Sequence, residues 1–372
     1  MNTSSRAQLG LFLCGDVMTG RGLDQVLPHS CPPHLHETHA TSALDYVALA
    51  ERANGPIPRP MGYAAIWGEA REVLERERPD VRIINLETSI TTSEDAEPKG
   101  INYRMHPGNV AVLAAARIDC CVLANNHALD WGRAGLLETL QTLEGAKIRG
   151  AGAGRDLQAA TNPAVLEVAG GTRVLVFACG TTDCGIPREW AANRARPGVH
   201  LLLDLSGKTL ERITRLVAET KRPGDLAVAS IHWGPNWGFD IPAAQRRFAH
   251  GLIDEASIDV VHGHSSHHPK AIEVYHDRPI LYGCGDLLND YEGILGYEEF
   301  RNDLVLTYFP AFDVPTGRLV RLEMTPLQIR NFRLQHPSPS DRAWLRDTLD
   351  RECRRFGQHI RCRGDAFALE WE

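Results

Sequence analysis

Short apolar runs alternate along the chain with stretches whose apolar residues recur every three to four positions. Runs at 9–14, 81–85, 120–124, 174–178, 226–231, 259–262 and 280–282 read as strands. Two later runs, 304–309 and 319–333, lie next to each other and predict an antiparallel addition. Between the strands, Leu136, Leu137, Leu140 and Leu143 share one helical stripe after Asp130-Trp-Gly, and 63–76, 206–220 and 242–256 read similarly. Ser340 predicts the cap of a last helix carrying Leu345, Leu349, Cys353 and Phe356 on one face. Such alternation predicts a layered α/β fold. Segment 27–60, rich in proline and histidine, fits neither period and predicts an ordered insertion over one end of the sheet. One domain with an insertion is the expected organisation.

The 372 residues are 43% hydrophobic and 23% charged, which excludes a disordered or fibrous chain. Forty Lys and Arg stand against 47 Asp and Glu, a formal charge of −7 that argues against nucleic acid as a partner. No apolar run approaches the roughly 18 residues a membrane helix needs, and residues 1–7 show no export signal. Nine scattered cysteines without a Cys-x-x-Cys pair fit reduced thiols, so the expectation is a cytoplasmic chain without a membrane anchor.

Polar clusters fall at the ends of the predicted strands. Asp16 ends the first, Glu87 the second, and Asn125, Asn126 and His127 the third. His232 ends a later strand, and His262, His264, His267 and His268 follow another. Carboxyl ends of strands in open α/β sheets line one crevice. Carboxylates and imidazoles without cysteine suit one or two divalent ions such as Zn, Mn or Fe. Glu87 has the reach to bridge a metal pair, with Asp16, Asn126, His232, His264 and His267 completing two shells. Asp130, three residues beyond His127, can orient that imidazole as a general acid. Arg21 is placed to clamp an oxyanion, and Arg104 and Lys270 are further candidates for that role.

At these residues the chain resembles the CapA family of poly-γ-glutamate capsule biosynthesis proteins. The resemblance rests on Gly-Asp-Val-Met-x-Gly-Arg, Asn-Leu-Glu, Asn-Asn-His-x-x-Asp-x-Gly, His-Trp-Gly and Gly-His-Ser-Ser-His-His-Pro, and runs from about residue 10 to residue 290. That family is similar to the calcineurin-like metallophosphoesterases, which implies an αββα sandwich over 8–335 and a helical extension over 336–372. Carried over, Asp16 matches the first metal aspartate, Glu87 the bridging acid and Asn126 the ligand asparagine. His127 matches the histidine that stabilises the reacting group, and His232, His264 and His267 match the late metal histidines. Met18 stands where metallophosphoesterases usually have a metal histidine. The last motif leaves His262, His267 and His268 as alternatives for one ligand.

Blander readings apply elsewhere. Asn125 caps the following helix, and His250 and His276 lie on the surface. The His29, Cys31, His34, His36 and His39 cluster is a proline-rich loop, and Gly150 to Gly154 a tight turn. Cys14 and Cys284 are small buried residues, not nucleophiles. Three functions follow: a metal-dependent hydrolase of a phosphoester or γ-glutamyl amide, a non-hydrolytic accessory protein in capsule-type polymer synthesis, or a metabolite-binding degenerate fold. The expected partner is a small anionic substrate bearing phosphate or γ-glutamyl groups, and the sequence leaves room for a homo-oligomer.

Overall fold

Alternation along the strands builds two facing sheets. The computed structural model describes residues 8–294 and 296–371; residues 1–7, read above as free of an export signal, lie outside them. In chain order the strands used below are β1 (Gln8–Val17), β2 (Val81–Leu86), β3 (Cys120–Val122), β4 (Arg149–Ala151), β5 (Arg173–Thr181), β6 (Leu226–His232) and β7 (Val260–His264). They continue with β8 (Ile272–Tyr275), β9 (Arg278–Leu281), β10 (Asp286–Leu288), β11 (Leu304–Asp313), β12 (Arg318–Arg330), β13 (His359–Arg363) and β14 (Ala366–Glu370). One sheet runs β13-β14-β12-β11-β1-β2-β3-β4, with β10 pairing the end of β1; the other runs β5-β6-β7-β9-β8. β1 to β4 are parallel, as are β5, β6, β7 and β9, so their carboxyl ends gather on one side of each sheet.

Leu9, Leu11 and Leu13 of β1 point between the sheets, into a core shared with Val174, Val176, Val228 and Val260. The alternate residues Phe12 and Cys14 face the opposite way. There they meet Val47 of α1 (Ala43–Asn54), Val73 of α2 (Ala70–Glu77) and Leu136 of α3 (Gly132–Gly145). On the far side of the second sheet, Leu175, Phe177, Ala227 and Ala229 pack against Leu210 and Ile213 of α4 (Gly207–Thr220) and Phe248 of α5 (Ala243–Asp254). The period of two in the strands therefore produces four layers, αββα.

Four details differ from the sequence reading. Segment 27–60 contains α1, whose Ser42 and Asp45 form a capping box and whose Ala43, Tyr46, Val47 and Ala50 are buried. The run 319–333 breaks at Asn331 and Phe332, both at positive φ, into β12 and the short strand Arg333–Gln335. The cap of the last helix, α6 (Pro339–Cys353), is Ser338, with proline favoured in the first turn. The extension 336–372, expected to be helical, is helical only as far as Phe356. It then forms the β13–β14 hairpin, and β14 pairs with β12.

Candidate metal centre

β1, β2 and β10 lie side by side, and Asp16 is in register with Asn85 on one flank and Asp286 on the other. Gly15 permits this: a Cβ there would stand 1.7 Å from the Gly285 carbonyl oxygen, so only glycine lets the backbones close. In the second sheet His232 of β6 is in register with His264 of β7. The carboxyl ends of both sheets meet, and two three-residue groups result: Asp16, His232 and His264; and Asp16, His267 and Asp286. Within each group the candidate donor atoms lie within 4.8 Å of one another, all the residues are buried, and Asp16 belongs to both.

Asp16 Oδ1 accepts from Asn85 Nδ2 at 2.7 Å and Oδ2 from the Ser265 N–H at 3.2 Å. Burial, then the Asp286 charge, pushes its pKa up to about 7. Burial and Asp16 also raise Glu87 well above the carboxylate range. Burial drives His232 and His264 well below the ordinary histidine value, each reinforced by a neighbouring histidine, so both are neutral and offer lone pairs. Their Nδ1 atoms stand 2.8 Å apart. His232 Nε2 meets Asn126 Oδ1 at 2.9 Å, which places the His232 proton on Nε2 and leaves on Nδ1, 3.4 Å from Asn85 Nδ2, the lone pair that a cation would take. For His267, burial pulls the pKa down, but the Asp286 carboxylate 2.8 Å from Nδ1 outweighs it.

The donor set fits a divalent cation. Three buried carboxylates, Asp16, Glu87 and Asp286, face neutral or carboxylate-paired imidazoles, and no lysine or arginine among the described residues bonds to any of the three. Buried acids in such surroundings neutralise by taking protons or a metal.

Several expected residues stand where the sequence put them. His127 Nδ1 lies 2.6 Å from Asp130 Oδ2, and its Nε2 is 3.7 Å from Glu87 Oε1. Burial lowers the His127 pKa to about 4. Asn126 Oδ1 meets His232 Nε2 at 2.9 Å, beside the first of the two groups. Glu87 hydrogen-bonds Asp16 from outside both groups, and the shared position is that of Asp16, where the sequence reading put Glu87. Of the three alternative histidines, His262 spends both nitrogens, on the Cys14 carbonyl at 2.8 Å and Ser230 Oγ at 2.9 Å. His268 is packed among Trp237, Phe239 and Phe300. Only His267 reaches a carboxylate of the cluster.

The expectation for Arg21 is corrected. Its Nε and Nη2 donate to Asp290 at 3.1 and 2.5 Å and Nη1 donates to Glu37 at 3.0 Å, leaving its side chain 2% exposed beneath Tyr46 and Tyr103. Three of its five N–H groups are held by two buried carboxylates under two rings, so the guanidinium serves the fold. Arg104 is spent on the Ser93 and Pro32 carbonyls and lies over Trp131, and Lys270 approaches the Asp240 carbonyl. Met18 receives a hydrogen bond from the Tyr291 hydroxyl. Cys14 and Cys284 are buried thiols pushed up by burial. His250 and His276 pair with Glu273 and Asp254, away from the cluster.

Sequence reasoning missed Asp286, Asn85 and Lys99. Asp286 had a signal, since Gly-Cys-Gly-Asp directly follows an apolar strand as Gly-Asp does in β1.

No helix among the described residues is long and apolar enough to cross a membrane. A probable polyglutamine synthesis accessory protein of Mycobacterium tuberculosis is 49% identical over 95% of this chain and 94% of its own length. The PGA biosynthesis protein CapA of Bacillus subtilis is 27% identical over 88% of this chain and 74% of that protein. Among solved structures, a novel phosphatase from Mycoplasma pneumoniae covers 86% of this chain and 94% of its own at 10% identity, with a TM-score of 0.47. The family model described as bacterial capsule synthesis protein PGA_cap matches residues 10–291, and the chain belongs to that family.

Proposed function

We propose that the chain is a metal-dependent hydrolase that cleaves a phosphoester or γ-glutamyl amide. The observation that carries this reading is the pair of buried carboxylate–imidazole groups joined at Asp16. Asp16, His232 and His264 would hold one ion and Asp16, His267 and Asp286 a second, with Glu87 beside Asp16. A divalent ion bound there would supply Lewis acidity and would lower the pKa of a bound water toward neutral. Asp130 holds the His127 proton on Nδ1, so Nε2 of the neutral imidazole would first take a proton from the attacking water and then pass that proton to the leaving group. Tyr103, its ring 4.3 Å from that of His127, keeps the imidazole from rotating away.

Elemental analysis of the purified protein tests this. One to two divalent ions per chain are expected, lost on His264→Ala and on Asp16→Asn; a wild-type protein that takes up no ion after reconstitution overturns the reading. The name of the mycobacterial relative favours a second reading, an accessory role in polyglutamine synthesis. Bound metal without hydrolysis of any ester or γ-glutamyl amide, together with stable capture of a polymer-forming ligase, would select it.

A further inference from the structure

The structure removes Arg21 from the mouth of the site and leaves a different cation there. Lys99 lies in the irregular segment between Ile90 and Tyr103, which is fastened to Asp130: the Glu97 N–H and Asn102 Nδ2 both donate to the Asp130 carbonyl, at 2.9 and 3.0 Å. This anchoring carries the Lys99 ammonium over the His127–Asp130 pair. Nζ donates to Asp130 Oδ1 at 2.7 Å and to the Asn126 carbonyl, and lies 3.3 Å from His127 Nδ1. His127 Nδ1 already faces Asp130 Oδ2, so the third ammonium hydrogen has no acceptor of its own among the described residues. The Lys99 side chain is 23% exposed, whereas that of Asp130 is 0% exposed and that of His127 8%. The Trp190 ring, 5.2 Å from Nζ, backs the ammonium. Its charge also acts on Glu87, His127 and His232, which places it within Coulombic reach of that side of the cluster.

We propose that Lys99 is the anion-binding residue of the site, its free N–H and its charge receiving an oxygen of a substrate phosphate or carboxylate beside the bond to be cleaved. The proposal rests on the hydrolase reading for its chemistry but on Lys99 geometry for its residue. A fixed ammonium backed by a ring and held by two acceptors loses little freedom on binding an anion, and attracts it from outside the carboxylate-rich interior. It also makes the preferred substrate one whose negative group lies next to the scissile atom.

The test is calorimetric binding of inorganic phosphate and, separately, glutarate to the full chain, metal-loaded and metal-free, for wild type, Lys99→Gln and Lys99→Arg. The expected result is at least tenfold weaker binding of one probe by Lys99→Gln, with Lys99→Arg within threefold of wild type and the wild-type affinity falling with added salt. A response confined to phosphate assigns a phosphoester, and one confined to glutarate a γ-glutamyl compound. Equal affinities in wild type and Lys99→Gln for both probes, or no binding of either by wild type, overturn the proposal. A second readout needs no substitution: in wild type, bound probe should slow acetylation of Lys99 at least fivefold and leave the exposed Lys147 and Lys208 unchanged. Elemental analysis of the same samples separates the two readings. A wild type that holds no metal fails the hydrolase reading, while the metal-free binding comparison still decides the role of Lys99.

Discussion

Tyr103 stands between two buried polar clusters of opposite character, 4.3 Å from the His127 ring on one side and 4.7 Å from the Arg21 guanidinium on the other. Around Arg21 the donors and acceptors match. Asp290 takes two guanidinium bonds and the Gly22 N–H, and Glu37 takes one guanidinium bond and the Tyr46 hydroxyl. Around Asp16 they do not, because three carboxylates converge with imidazoles that burial keeps mostly neutral. In both regions the charged side chains are buried. A matched cluster holds the fold together, whereas one rich in acceptors is complete only with a cation.

The largest expected effect breaks the matched side. Arg21→Met strands Asp290 and Glu37 in the interior and should cost about 3–5 kcal/mol in urea unfolding, without changing metal content. A loss below about 1 kcal/mol would mean the network is not structural. Next, divalent ion at a hundredfold excess over its Kd should raise wild-type stability by about 2.7 kcal/mol relative to chelator. Thermal unfolding should show that gain vanish in Asp16→Asn, which removes the residue common to both groups.

Lys270 sharpens the comparison with the charge reversed. It is a buried cation whose acceptor is the Asp240 carbonyl, 3.4 Å away, and burial lowers its pKa from 10.5 to about 8. Between those values the unfolded chain binds the proton that the folded chain has released. Stability should therefore rise with pH across that window, by about 2 kcal/mol. The slope should flatten in Lys270→Met; an unchanged slope would show that Lys270 does not cause it. The smallest effect is on the acceptor-rich side. In chelator, Asp16→Asn relieves repulsion among buried acids and should equal or exceed wild-type stability, by about 1 kcal/mol in urea. A clear loss would mean that the carboxylate stabilises the fold without metal.

What was legible in the sequence follows from the range of each interaction. Strand ends carrying Asp16, Glu87, His127 and His232 can be read locally, because a period of two and a terminal polar residue lie within a dozen positions. The same holds for His127 and Asp130, three apart. The role of Arg21 was not legible, since its partner Asp290 is distant in sequence and meets it only once β1 and β10 pair. Helix α1 was hidden because its buried stripe uses small residues, Ala43 and Ala50, in a stretch that also contains prolines. The β13–β14 hairpin was hidden by arginines that alternate with Ile360 and Cys362 and mask the strand period. Lys99 gave no signal, because its place depends on a loop fastened to Asp130 by backbone bonds.

The register of Asp16 also constrains synthesis. β1 leaves the ribosome well before its neighbours β10 and β11, and Asp286 arrives with β10. A nascent chain can pair β1 with β2 but leaves the other edge of β1 open until β10 and β11 have followed. Neither three-residue group is complete before His264 emerges, and the second waits for Asp286. Partial chains therefore lack the full donor set, and late pairing of distant strands predicts slow folding with an exposed edge for chaperones to shield.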